Sequence, residues 1–408
     1  MKSRINRWME MALMGSMVGW VACGPAGEGP DGTRDTRSPA PEAEAIDTYN
    51  DPSAFSEGLN RKLDALPLAG EAKQIPWPGS YWPVYQDAIN NRWEGPQTLS
   101  PAAKYSKAFG VAKVEDAVSR LNGVASQAHA KACKTDSECD PKQGEVCGFR
   151  NAASKGRCIP TWFGLCHAWA PAAILEPEPI RSVTYNGVEF KVNDIKGLIT
   201  MVYNGVDSRF LSGRCEESKT GGSLETDATG RPTNSECRDT NPGTFHIVVA
   251  NYLGLKGQSF VEDRTFDSEV WNQPMRGYQV VEKRDVSFQE ANKLLKVGGN
   301  NAPTTYSFND QAVRLVYLRT VSSYIGESDV TTDGNLAGSI GSYTFRDSYE
   351  YILELDQKGD ILGGEWVGKS RTQHPDFLWL PTTLTTTSIA GIKYEDVKKL
   401  LDLARATN

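Results

Sequence analysis

Four of the eight cysteines lie close together in the chain, and this cluster restricts the local fold more than any other feature. The stretch around them is polar and has no hydrophobic periodicity, so two disulfides would have to hold it together. Four cysteines allow three connectivities, and their spacing does not choose among them. A zinc site is the less favoured alternative, because the cluster has no close Cys-x-x-Cys pair and no suitable histidine nearby. The four residues are Cys133, Cys139, Cys147 and Cys158.

The N-terminus has the pattern of an export signal. Three basic residues precede a short apolar stretch at residues 11–21, which is too short to span a bilayer. Cys23 follows small residues, as in a bacterial lipobox whose cysteine is lipidated after cleavage. Trp20 departs from that pattern, and plain secretion is the alternative. We therefore expect residues 1–22 to be a signal peptide and the protein to be an outer-membrane or cell-surface lipoprotein, anchored to the membrane by its lipid.

Composition divides the remaining chain into four parts. Residues 23–47 are rich in Gly, Pro, Glu and Thr and are expected to form a tether. A mainly helical region at 48–130 precedes the disulfide-rich insert at 131–160, and residues 161–408 form a core with a strand-rich C-terminal part. This order indicates an α+β fold with a papain-like core and an antiparallel sheet. The formal charge of −7, with basic residues scattered, argues against nucleic-acid binding.

The remaining cysteines single out one thiol. Export places them in an oxidising compartment, where disulfides are expected. Cys215 and Cys237 flank a loop rich in Gly, Ser and Thr, and we expect them to bridge. With Cys23 lipidated and three bridges formed, Cys166 is left without a partner. An unpaired thiol in an exported protein points to catalysis, and the alternative is a buried structural cysteine.

Apolar periodicity and turn residues predict the main elements of secondary structure. The predicted helices cover residues 114–132, 161–175, 194–203 and 393–406. The predicted strands cover residues 245–252, 259–262, 313–321, 343–355 and 361–367. Asn186 and Gly187 predict a hairpin turn.

Three residues carry the predicted chemistry of thiol acyl transfer. Cys166 is expected to open a helix, where the helix dipole favours the thiolate and free N–H groups face a developing oxyanion. His246, at the head of the predicted strand 245–252, is expected to act as the base. Asp263, on the next strand, would accept the imidazole proton and fix its tautomer.

Other residues compete for these roles or support them. Asp267 and Asn272 are alternatives to Asp263, and His374 is the second choice for the base. His167 is expected to shape the cleft beside Cys166, with Trp162 in a supporting position. No cluster has the spacing of a Ca²⁺ loop or a zinc hydrolase, so no metal site is predicted. No cofactor is expected to be required, and a Ca²⁺ dependence stays open.

Several long motifs resemble one protein family. The Cys166 segment continues into Glu176-Pro177-Glu178-Pro179, and residues 270–282 begin with Val-Trp-Asn-Gln-Pro followed by Arg-Gly. Together with segments at 77–85, 363–366 and 374–379, these motifs resemble the transglutaminase elicitors of plant-pathogenic oomycetes. In the motif at 270–282, which resembles the family's immune-recognised peptide, the departures are Met275, Tyr278, Gln279 and Val281.

The resemblance implies protein-glutamine γ-glutamyltransferase activity. Cys166 would attack a glutamine carboxamide, and a lysine amine would take the acyl group from the thioester. The implied partners are proteins that carry Gln and Lys side chains. The alternatives are a cysteine peptidase or amidase and a non-catalytic surface adhesin on the same fold. Residues 24–130 could also be a removable pro-region that covers the cleft.

Overall fold

The computed structural model describes most of the chain beyond its N-terminus. The described residues are 46, 49–151, 153–213, 225, 232–234, 238–264, 269–330, 334–384, 387–388 and 390–406. Over these residues, no helix combines the length and apolar character that a membrane span requires.

Antiparallel strands form the centre of the fold. The described strands are β1 (Ala69–Glu71), β2 (Ala132–Cys133), β3 (Glu145–Gly148), β4 (Gly156–Pro160), β5 (Val183–Tyr185), β6 (Val188–Phe190), β7 (Asp207–Leu211), β8 (Val261–Asp263), β9 (Asn272–Val286), β10 (Arg314–Ile325), β11 (Thr344–Leu355), β12 (Ile361–Trp366) and β13 (Leu378–Thr383). The main sheet has eight strands in the order β12-β11-β10-β9-β8-β13-β7, with β1 paired to β9. This sheet and the helices that pack on it confirm the predicted α+β class.

Seven α-helices accompany the sheet in the described part of the chain. They are α1 (Pro101–Phe109), α2 (Val114–Asn122), α3 (Cys166–Leu175), α4 (Val192–Tyr203), α5 (Pro242–Val249), α6 (Phe288–Leu294) and α7 (Tyr394–Arg405). A π-helical segment, Ala250–Lys256, continues α5. One hydrophobic core lies among α1, α3, α4 and α7, and a second lies between α5 and the sheet.

Most local predictions agree with these bounds. Helices α3, α4 and α7 lie where they were predicted, and α3 begins at Cys166. The hairpin of β5 and β6 turns at Asn186 and Gly187, which both have positive φ. The predicted helix at 114–132 is shorter, because α2 ends at Asn122 and is followed by Gly123. There the carboxylate of Asp87 accepts the next N–H, from Val124, at 2.8 Å.

The strand predicted at 245–252 is wrong. This segment forms α5 and the start of the π-helical segment. Its side chains are buried on every side, so the apolar run has neither a helical nor a strand period. The decisive signal lies just before it. Asn241 caps the helix by accepting the N–H of Gly243, and Pro242 occupies the first turn.

The cysteine cluster forms the disulfide-rich insert at 131–160. Its small sheet has the order β2-β4-β3 and is held by Cys133–Cys147 and Cys139–Cys158. The two bridges settle the connectivity that the sequence leaves open. The four half-cystines form a hydrophobic cluster of their own, so they replace the apolar core that the insert lacks. They also use the sulfur atoms that a zinc site would need.

Residues 52–90 are part of the folded core. This segment contains short 3-10 turns and β1, whereas the predicted helical content of 48–130 is concentrated in α1 and α2. Its apolar side chains contribute to both hydrophobic cores. The buried members are Phe55, Leu63, Leu66, Ala72, Trp77, Trp82, Ala88 and Ile89.

Candidate active site

Helix α3 brings Cys166 to the edge of the main sheet. Cys166 is the first residue of the helix, so its sulfur lies at the positive end of the helix dipole. Ala170 and Ile174 follow at spacings of four on the same helix face. Both pack in a small apolar cluster with Val261, Val270 and Trp379. This packing places the first turn of α3 against the start of β9.

The Cys166 side chain is fully buried and faces one polar side chain of the sheet. Asn272 directs its side-chain amide nitrogen, Nδ2, to the Cys166 Sγ at 3.5 Å. The backbone oxygen of Val270 lies 4.0 Å from the same sulfur. Asn272 is the first residue of β9 and is itself fully buried. An amide N–H at this distance can stabilise negative charge on the sulfur or on an oxygen that forms beside it.

A buried tryptophan fixes the orientation of the Asn272 carboxamide. The indole Nε1 of Trp379, on β13, donates to the Asn272 Oδ1 at 2.7 Å. An indole N–H is a donor only, so the atom that it contacts must be the carboxamide oxygen. The NH₂ group of Asn272 therefore faces Cys166. The sequence motif at 374–379 includes Trp379, but nothing in its local pattern connects it with Asn272, which lies far away in the chain.

Asp263 lies beside this site. It ends β8 and pairs directly with Asn272 across the two strands. One carboxylate oxygen accepts the backbone N–H of Trp271 at 2.8 Å. Asp263 is fully buried. The structure thus brings together three residues that the sequence singled out, namely Cys166, Asn272 and Asp263.

The expectation that Cys166 is the unpaired cysteine is wrong for this structure. Cys166 is disulfide-bonded. The other cysteines of the described part of the chain are paired with one another, so its partner lies outside the described residues. Cys23, Cys215 and Cys237 all lie there, and so do the predicted lipidation and the predicted Cys215–Cys237 bridge. Counting cysteines could not show this, because the count assumed both the lipidation of Cys23 and the bridge between Cys215 and Cys237.

His246 lies away from Cys166. It is on α5, in the core between that helix and the sheet, and its Nδ1 is 2.8 Å from the hydroxyl of Tyr351. Its contacts include no hydrogen bond to Cys166 or Asp263. Desolvation lowers the pKa of His246 to about 3, so the imidazole is neutral at physiological pH. The hydrogen bond to Tyr351 places His246 in the core between α5 and the sheet, and its role as base stays a prediction.

The other candidate side chains are also placed. His374 is stacked on Trp366, with its Nδ1 2.7 Å from the Ser370 carbonyl and its Nε2 3.5 Å from Asp239. His167 contacts the Oδ1 of Asn204 at 3.0 Å. Trp162 is partly buried against the core that contains α3. None of the described hydrogen bonds joins these three residues to Cys166. The competing residue Asp267 lies outside the described residues.

One group of potential metal ligands occurs among the described residues. It consists of Cys133, Cys139 and Cys158, whose sulfur atoms lie within 4.8 Å of one another. These sulfurs belong to disulfides. No carboxylate cluster of the kind that Ca²⁺ prefers was found in the described part of the chain.

Comparisons with known proteins agree with this geometry. The model of the transglutaminase elicitor family matches residues 48–407. This chain belongs to that family. A similar solved structure is the crystal structure of the GP42 transglutaminase from Phytophthora sojae, at 39% identity and a TM-score of 0.73. The match covers 87% of this chain and 96% of that chain. No curated protein matches significantly.

Family membership confirms the resemblance drawn from the motifs and extends it over the described core. The structural match confirms a transglutaminase-like fold of mixed helix and antiparallel sheet. In this family member, the motif at 270–282 begins beside Cys166 and continues as β9, the longest strand of the sheet.

Proposed function

We propose that the protein is a protein-glutamine γ-glutamyltransferase with Cys166 as its nucleophile. One observation carries the proposal: Cys166 begins a helix and faces the Asn272 amide inside a fold that is similar to a solved transglutaminase. A helix N-terminus and a directed N–H group both favour a thiolate. The protein substrates would supply Gln and Lys side chains.

The proposed reaction has two acyl-transfer steps. The Cys166 thiolate adds to the δ-carbonyl carbon of a glutamine. The amide nitrogen takes up a proton and leaves as ammonia, so that a thioester remains, and the lysine amine gives up one proton in the second step. The amine of a lysine then adds to the same carbon. The thiolate leaves, and an isopeptide bond links the two proteins. Ammonia is released once per bond, and no redox change occurs.

The oxidised structure represents a resting form under this proposal. A sulfur held in a disulfide cannot act as the nucleophile, because the thiolate performs the attack. Exchange with an external thiol would release Cys166 as a thiolate. Since the side chain is fully buried, a glutamine side chain can reach the sulfur only after a local opening beside Cys166.

The test measures incorporation of a fluorescent amine into casein by the chain that lacks residues 1–22 and so keeps all three cysteines that could pair with Cys166, namely Cys23, Cys215 and Cys237. We expect incorporation after treatment with a dithiol and little without it. Cys166→Ala should abolish it under both conditions. A chain with Cys133 and Cys147 both changed to Ser controls for reduction of the insert, and it should still depend on the dithiol. Incorporation that survives Cys166→Ala would refute the nucleophile assignment.

The same assay separates transfer from hydrolysis. A peptidase or amidase shares the thioester step but passes the acyl group to water. Ammonia release is therefore measured with and without the added amine. Faster release with amine, together with incorporation, supports a transferase. Cleavage of casein that depends on Cys166 and is insensitive to amine would identify a hydrolase.

A non-catalytic surface ligand is the second candidate. The observation that favours it is the buried, disulfide-bonded state of Cys166. In that case the sulfur stabilises the fold only. Amine incorporation would then be absent after complete reduction, and Cys166→Ala would lower stability without changing any activity.

The proposed location is outside the cytoplasm. Disulfides in the described insert are typical of proteins from an oxidising compartment. A lipid anchor at Cys23 would hold the enzyme at the membrane surface. Mass spectrometry of the protein isolated from its source would detect the lipid, and Cys23→Ser should release the protein from the membrane fraction.

A further inference from the structure

The Asn272 carboxamide is locked in one orientation beside the sulfur of Cys166. Its oxygen accepts the Trp379 indole N–H at 2.7 Å, and its nitrogen points to the sulfur at 3.5 Å. All three side chains are buried, with Trp379 exposed by only 3%. If the carboxamide rotated by half a turn, its NH₂ group would face the indole N–H of Trp379. That arrangement leaves two buried donors without acceptors and is strongly disfavoured.

The packing around Trp379 holds its indole N–H against the Asn272 carboxamide. Its ring lies in the apolar cluster with Ala170 and Ile174, the residues that share a helix face with Cys166. It also stacks on Phe210 with ring centroids 5.5 Å apart. Helix α3, Val270 just before β9, and β13 are therefore held together by the same cluster. A donor held without rotational freedom is the kind of group that stabilises a developing oxyanion efficiently.

We propose that Asn272 is the side-chain hydrogen-bond donor of the active site and that Trp379 is its positioning residue. This inference rests on the proposed function, with Cys166 as the nucleophile. When the thiolate adds to the glutamine carbonyl, a new C–S bond forms and the carbonyl electron pair moves to oxygen. The Asn272 N–H stabilises the thiolate before the addition and the oxyanion after it. Trp379 touches neither the substrate nor the sulfur.

The first readout is the pKa of the Cys166 thiol in the fully reduced protein. Thiolate absorbance is followed against pH for each variant, and the same curve from a partner variant with Cys166→Ala is subtracted. This measurement needs no substrate and no access for a reagent. Asn272→Ala removes a hydrogen bond to the charged thiolate, so we expect the pKa of the Cys166 thiol to rise. The expected shift is roughly tenfold in proton concentration. Asn272→Asp should shift it further in the same direction, because a carboxylate repels the thiolate.

Trp379→Phe separates the N–H group from the ring. Phenylalanine keeps most of the packing in the cluster but lets the carboxamide of Asn272 rotate. We expect the thiol titration to shift in the same direction as for Asn272→Ala, by a smaller amount. The double variant should behave like Asn272→Ala alone, because Trp379 acts only through Asn272.

Trp77→Phe is the matched control. Trp77 is equally buried and donates its indole N–H to the carbonyl of Glu176, just beyond the other end of α3, at 2.9 Å. The change removes the same chemical group, an indole N–H, from a contact just beyond the end of α3 and does not touch Asn272. It should leave the thiol titration unchanged even if it lowers stability. Urea unfolding of every variant shows which of them fold.

The second readout is steady-state amine incorporation. Loss of an oxyanion donor typically lowers kcat by about a hundredfold or more. We expect such a loss for Asn272→Ala with KM little changed, and about a tenfold loss for Trp379→Phe. Unchanged titration and kcat in Asn272→Ala would overturn the donor role. A response in Asn272→Ala but none in Trp379→Phe would overturn the positioning role. A shifted thiol titration without incorporation by any variant would refute the proposed function and leave the donor at the sulfur standing.

Discussion

At the scale of single residues, buried titratable groups give opposite pH dependences to the stability of the fold. Glu262 is 1% exposed and accepts the hydroxyl of Tyr349 at 2.9 Å. Desolvation raises the pKa of Glu262 to about 8, so this carboxyl is mostly protonated at neutral pH. Desolvation lowers the pKa of His246 to about 3. Both groups are therefore neutral in the folded protein near pH 7. Glu262 makes the fold less stable as the pH rises, and His246 makes it less stable as the pH falls.

Glu262→Gln should remove a pH dependence. The folded state binds more protons than the unfolded chain between about pH 4.5 and 8, so the free energy of unfolding falls as pH rises through this range. The slope is at most about 1.4 kcal/mol per pH unit. Glu262→Gln should be more stable than the wild type at pH 8, by about 1–3 kcal/mol, and this gain should shrink towards pH 5. Urea unfolding at several pH values measures it, with the exposed Glu57→Gln as control.

His246→Gln should cost stability and spare the reaction. The unfolded chain binds more protons than the folded state between about pH 6.5 and 3, so stability falls as pH falls through this range. His246→Gln should weaken the contact with Tyr351, lower stability at pH 7 by about 1–3 kcal/mol and flatten the acid side of the curve. Turnover per folded molecule should change less than about tenfold. Lost turnover with unchanged stability would instead establish His246 as the base.

The sequence could identify Cys166, Asn272 and Asp263, but it could not arrange them. A cysteine at the start of a helix is readable from local pattern. The contact of Asn272 with the sulfur depends on how α3 packs against β9, and its contact with Trp379 depends on a pairing between distant strands. The sequence predicts a strand at His246 because its apolar neighbours suit a strand and a buried helix equally. To predict a disulfide at Cys166, one would have to know the pairing of every other cysteine in the chain.

At the scale of elements, the insert should depend on its bridges and leave the core intact without them. Its cysteines form their own cluster, and Ile159 packs it against Val84 and Val124 of the core. A bridge across 19 residues contributes about 3 kcal/mol. With Cys139 and Cys158 both changed to Ser, trypsin should cut rapidly at Lys142 and Lys155, which are exposed.

The matching measurement compares this insert variant with a variant that lacks only the Cys133–Cys147 bridge. The two variants should lose similar amounts of stability in the insert, since the two bridges close loops of similar length. The urea midpoint of the core should stay within the error of the wild type in both. A core that unfolds together with the insert would show that the insert is part of the main cooperative unit.

At the scale of the whole molecule, residues 52–90 wrap the sheet and join both hydrophobic cores. Strand β1 pairs with β9 through Ala69, Gly70 and Glu71. Earlier in the segment, the Leu63 N–H donates to the Gly359 carbonyl at 3.1 Å. Near α3, the Leu165 N–H donates to the carbonyl of Tyr81 at 2.5 Å. The segment therefore supports the helix that carries Cys166, which argues against its removal as a pro-region.

Deletion of residues 1–75 should consequently destabilise the protein and should not raise the rate of amine incorporation. The deletion exposes the core surface that Phe55, Leu63, Leu66 and Ala72 bury. Full burial of a large apolar side chain contributes about 1.5–3 kcal/mol, so the expected loss exceeds about 4 kcal/mol in total. The urea midpoint should fall steeply, and amine incorporation should be lost with it. The chain that lacks only residues 1–47 is the control and should match the longer protein in both measurements. The deletion also removes β1, which pairs with β9. A shortened chain that nevertheless stayed folded and incorporated amine faster would establish residues 48–75 as a cover over the site.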